Sequence, residues 1–100
     1  MRFKKMSLAP FPVVLKLKFT SEELPGNAVG LTTMDGSTVF IVISVANEDK
    51  VLPTAVHEAV HAVQFTEDYI EGQLDNETEA YMVSKIATWT IEQYKQFSRQ

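Results

Sequence analysis

The 100-residue chain contains no cysteine and only two histidines. The first absence excludes a disulfide framework and any thiolate metal site, and it suits a reducing, cytoplasmic setting. Glycine and proline are sparse, at four each, far below the content of collagen-like or low-complexity chains. No apolar run approaches the ~20 residues that a membrane-spanning helix needs, so no membrane partner is expected. The N-terminus begins basic, as a secretion signal does. Pro10, Pro12, Lys16 and Lys18 break any apolar core there, and no small-residue cleavage site follows. That stretch is expected to belong to the fold.

A hydrophobic fraction of 45 % argues against disorder. At this length it provides for one core, hence a single domain over residues 1–100. The net charge of −4 is unevenly spread. Residues 1–20 hold five Lys or Arg and no acid, whereas residues 21–80 hold twelve Asp or Glu against Lys50 alone. An acidic middle tells against a nucleic-acid partner. The basic arm reads as a solvated strand edge.

Local patterns give an α+β order. Phe11–Thr20 alternates in its second half, with Leu15, Leu17 and Phe19 against Lys16 and Lys18, as a half-buried strand does. Ala28–Met34 and Ser37–Val45 are strand-like on either side of Asp35-Gly36, a hairpin signal. Val39–Val45 is almost continuously apolar, which predicts burial on both faces. Residues 1–10 show no period and are expected to lead in loosely. About three N-terminal strands, one hairpin among them, therefore precede two helices. The first is expected from Val51–Thr54 to Tyr69, with Pro53 in its first turn and Glu71-Gly72 after its end. The second should run from a cap at Asp75 or Asn76 to about Phe97. Val56, Val60 and Val63 predict the core face of the first helix; Ala80, Val83, Ala87, Ile91 and Tyr94, widened by Met82 and Ile86, predict that of the second.

Both histidines fall in one stretch of the first helix, His57-Glu58-Ala59-Val60-His61. Helical residues four apart lie one above the other, so the two imidazoles can close on a single zinc ion. Glu58, about 100° round the helix, flanks that ion and suits a base acting on water. A chance H-E-x-x-H is expected on the order of once in a few hundred chains of this composition, and here the helical context supports it. Two histidines alone would bind zinc weakly. With no further His and no Cys, a third donor must be an oxygen, and the candidates lie in Asp75–Tyr81.

This arrangement resembles the zincin metallopeptidases, specifically the gluzincins, in which a Glu on the helix after H-E-x-x-H completes the site. Glu77-Thr78-Glu79-Ala80 matches their E-x-x-A setting, with Asn76 before it. The stretch also resembles small predicted metallopeptidases of bacteriophages. The likeness covers roughly residues 54–81. It implies a minimal zincin-like fold, Zn²⁺ held by His57, His61 and Glu77, Glu58 as general base, and a peptide or protein substrate. Glu79 is the rival ligand, although capping-box spacing from Asn76 explains it as a helix cap. Tyr81 departs from the pattern, standing where many gluzincins place an Asp that supports a ligand histidine. Gln64 and Asp68 lie on the histidine side and could support the ligands or simply be solvated. Tyr69, Tyr81 and Tyr94 could donate to an oxyanion, but at helical spacing they read as packing. The alternative to an enzyme is a non-catalytic binding module of the same fold with a structural zinc. Retention of Glu58 favours catalysis, since a structural site needs no base.

Overall fold

The structure is a computed structural model and describes residues 3–99. It is α+β: four strands form one mixed sheet, and two helices follow. The strands are β1 (Lys4–Ser7), β2 (Val14–Thr20), β3 (Gly30–Asp35) and β4 (Thr38–Ser44); the helices are α1 (Val51–Ile70) and α2 (Asn76–Ser98). The sheet order is β1-β2-β4-β3, with β2 and β4 parallel and both outer pairs antiparallel. β3 is thus an edge strand, although it precedes β4 in the chain. No helix among the described residues is long and apolar enough to cross a membrane.

The alternation in β2 works as expected. Leu15, Leu17 and Phe19 stand opposite Val39, Ile41 and Ile43, and all six are buried. β4 differs from its expected double burial, because Phe40 and Val42 on its other face are only half-buried. That face is covered by side chains instead of a second layer. Lys16 Nζ lies 5.7 Å from the Phe40 ring centre and Lys18 Nζ the same distance from Phe3, an arrangement in which lysine stems shield apolar surface while their charges stay wet. β1 is the fourth strand, where a loose lead-in was expected. Its residues do not alternate; pairing of Lys4–Ser7 along β2 makes it a strand.

The hairpin forms one residue later than the Asp35-Gly36 signal suggests. Asp35 pairs with Thr38, leaving Gly36 and Ser37 to connect the strands. Of these only Gly36 has positive φ, at +59°, which places the glycine first, as a type II′ connection requires.

α1 lies on the sheet through Ala55, Ala59 and Ala62, each no more than 1 % exposed, together with Val51 and Val63. The valine stripe therefore corrects in part: Val56 and Val60 are 47 % and 38 % exposed. They line a groove against Ala80, Val83, Ala87 and Ile91 of α2. The burying face of α2 is Met82, Ile86, Ala87 and Thr90. Left-handed Glu71 (φ 55°) closes α1, its N–H reaching the Asp68 and Glu67 carbonyls. A side-chain oxygen of Glu67 takes the Leu74 N–H at 2.9 Å, fixing the loop that returns the chain along α1.

The α2 cap is Asp75, whose Oδ1 accepts the Thr78 N–H at 2.8 Å. Glu79 is thereby one residue too far along for the expected capping box. Chiefly through the Thr78 backbone N–H, the Asp75 carboxyl is held below its ordinary 3.8. A group with a depressed folded pKa stabilises fully above its unfolded value, and that contribution is lost as pH falls through the folded one. Asp75→Ala should therefore lower the thermal midpoint at pH 7. In a melting series the gap from wild type should begin to narrow below pH 3.8 and close as the pH falls through the lowered folded value.

Candidate metal and catalytic site

Buried alanines on one side of α1 leave the opposite side to water, and the histidines stand there. The His57 side chain is 67 % exposed. Its Nε2 faces His61 Nε2 at 3.1 Å, with the rings edge to face. Two nitrogens bound to one tetrahedral zinc at 2.0–2.1 Å would be roughly 3.3 Å apart, so the pair fits a single ion. His61 Nδ1 is 3.1 Å from Gln64 Oε1. A carboxamide oxygen only accepts, so a hydrogen on Nδ1 would satisfy it and would leave the Nε2 lone pair toward His57. Of the two residues expected on the histidine side, Gln64 reaches His61, and Asp68 is exposed.

Glu58 points the other way, under β3, and its side chain is only 5 % exposed. Its Oε1 accepts a 2.6 Å hydrogen bond from Thr32 Oγ1, while its Oε2 lies 4.0 Å from His57 Nε2. One carboxylate oxygen is therefore committed to the strand and the other is turned toward the histidines. β3 can come this close because residue 30 is glycine. A Cβ there would stand 2.7 Å from Thr54 Cγ2, 2.8 Å from Glu58 Cγ and 3.0 Å from Glu58 Oε2.

The acids of α2 are placed apart from this cluster. Glu77 is exposed on the first turn. Glu79 turns toward α1 and hydrogen-bonds Glu67; that bond, then burial and the neighbouring charges of Glu67 and Asp75, raise its pKa above 4.5. His61 precedes Glu67 by six residues, about 9 Å of helix rise. The short loop after α1 brings α2 back along it, so the first turn of α2 lies beside the end of α1. No group of three His, Asp or Glu side chains among the described residues is placed to hold a metal. The structure brings together His57, His61 and Glu58, and it does not bring Glu77 to them. Tyr69 and Tyr81 are exposed, and Tyr94 packs against Phe19.

Thr32 and Gly30 were not singled out by the sequence. A signal was present: a glycine inside a strand pattern marks a close backbone approach, and Thr32, two residues on, shares its face. Which helix residue approaches lies 26 positions away, beyond any local pattern. Comparison of the chain with protein-family models, curated proteins and solved structures found no match.

Gly30→Ala should destabilise the protein by about 1–3 kcal/mol, the usual cost of overpacking a close contact. Denaturant unfolding measures this.

Proposed function

We propose that the protein is a zinc-dependent peptidase with Glu58 as general base. One juxtaposition carries the reading: an exposed histidine pair with converging Nε2 atoms, and beside it a buried carboxylate with one oxygen left free. A structural zinc site is closed by four protein ligands, whereas a catalytic one keeps a position open. The exposed histidine pair supplies two of the three protein donors that an open site uses, and a carboxylate base stands beside it.

His57 and His61 would hold the ion, which when bound activates water near neutral pH and polarises a carbonyl. Gln64 Oε1, 3.1 Å from His61 Nδ1, would favour the tautomer that ligation needs. Glu58 Oε2 would take the proton of the attacking water as its oxygen bonds to the peptide carbon. The same oxygen would return that proton to the amide nitrogen as the C–N bond breaks. The outer edge of β3 has no partner strand among the described residues, and an extended peptide could pair along it. The resemblance to gluzincins and to phage peptidases supports the same reading, and a chain without cysteine suits a cytoplasmic setting.

A non-catalytic binding module is the second reading. What favours it is the groove between the helices, where Val56 and Val60 leave apolar surface open beside the histidines. Glu58→Gln separates the two. At matched zinc occupancy a peptidase should lose about 10²–10⁴ in turnover of an unstructured protein, whereas a binding module should keep its affinity for a partner.

Zinc titration against a chromophoric chelator tests the ligands. His57→Ala or His61→Ala should weaken binding by more than about tenfold, since losing a ligand exceeds losing a supporting group. The resemblance implies Glu77 as third donor, but its placement predicts that neither Glu77→Gln nor Glu79→Gln changes the affinity. A fall in one of them would identify the acid that the metal draws in.

A further inference from the structure

Glu58 has two carboxylate oxygens, and nothing in an H-E-x-x-H pattern says which is the base or what keeps it aimed. On α1 the residue occupies the border between the buried alanine face and the exposed histidine face. A glutamate there has three side-chain torsions and could swing outward into water. Three features of β3 prevent this. Gly30 lacks the Cβ that would fill the space now taken by Glu58 Cγ and Oε2. Thr32, on the same strand face, donates its hydroxyl to Oε1 at 2.6 Å, a short and directed bond. That hydroxyl also lies 3.5 Å from the Glu58 main-chain carbonyl, so it sits against the base of the side chain as well as its tip.

We propose that Thr32 is a positioning residue: its hydroxyl holds Glu58 Oε1, making Oε2 the oxygen that accepts and returns the proton. The assignment rests on the peptidase reading for its chemistry but not for its geometry. A hydroxyl proton cannot serve two acceptors well, so while Thr32 donates to Oε1 that oxygen is engaged, and only Oε2 faces the histidines. Thr32 itself touches no reacting atom.

The test uses Thr32→Val, which keeps shape and strand preference, and Thr32→Ser, which keeps the hydroxyl. Both should fold and bind zinc as wild type does, since neither histidine is touched. In turnover of an unstructured protein substrate, Thr32→Val should lose about ten- to a hundredfold in kcat with KM nearly unchanged, as a misplaced reacting group does. Thr32→Ser should recover to within about threefold of wild type. A purely structural role would lower thermal stability, chiefly in Thr32→Val, and would not separate kcat from KM.

Crystal structures of wild type and Thr32→Val give a readout that needs no activity. The Glu58 carboxylate should be ordered under β3 in the first and rotated or disordered in the second. If the wild type cleaves nothing while Glu58 is displaced in Thr32→Val, the positioning role stands and the peptidase reading fails. Unchanged kcat in Thr32→Val, or a Glu58 carboxylate that keeps its place without the hydroxyl, would overturn the proposal.

Discussion

The contact between β3 and α1 is the constraint on which the site depends. Helix and edge strand meet at Gly30, and the distance is set by what residue 30 lacks. A Cβ there would come within 3.0 Å of Thr54 and Glu58 side-chain atoms, so the strand or the Glu58 side chain held by the 2.6 Å bond from Thr32 would have to give way. The alanines at 55, 59 and 62 do the same on the next face of the helix, letting α1 settle on β4. Small residues bring backbones together, and the helix turns its polar positions outward as a result. A buried carboxylate and an exposed histidine pair on successive residues follow from that single placement.

Burial of Glu58 is tolerable because the strand answers it. A carboxylate removed from water without a partner is costly. Here a hydroxyl from another element supplies a hydrogen bond, and no buried side-chain polar atom among the described residues is left without one. The same logic governs Thr66 and Thr90, whose hydroxyls return to the Ala62 and Ile86 carbonyls one turn back. These threonines let the helices come together without bulk and without orphaned polar groups.

Both helices, and the three strands around one hairpin, were legible because each carries its own punctuation: Pro53 at a first turn, Glu71-Gly72 at an end, Gly36 at a turn. β1 was not, since Lys4–Ser7 has no pattern of its own and is a strand only by pairing with β2. The apolar face of α1 was misread for a related reason. Val56 and Val60 are bulkier than Ala55 and Ala59 and dominate the periodicity, yet the sheet selects the small residues for close approach. In the site, the histidine pair and Glu58 follow from spacing within one helix. The position of the α2 acids depends on how two helices align across a loop, which four- and seven-residue periods do not encode.

The strand period of two carries one more consequence. Gly30 and Thr32 face α1 because Thr32 stands opposite Ile41, and that register is fixed by Asp35 meeting Thr38 across the Gly36-Ser37 connection. A slip of one residue would reverse every side chain of β3. Leu31 and Thr33 would then turn toward the helix, and leucine would occupy ground that only glycine fits. The turn at the far end of the hairpin thus acts as the reading frame of the site, deciding from several residues away whether Glu58 meets a hydroxyl or a hydrocarbon.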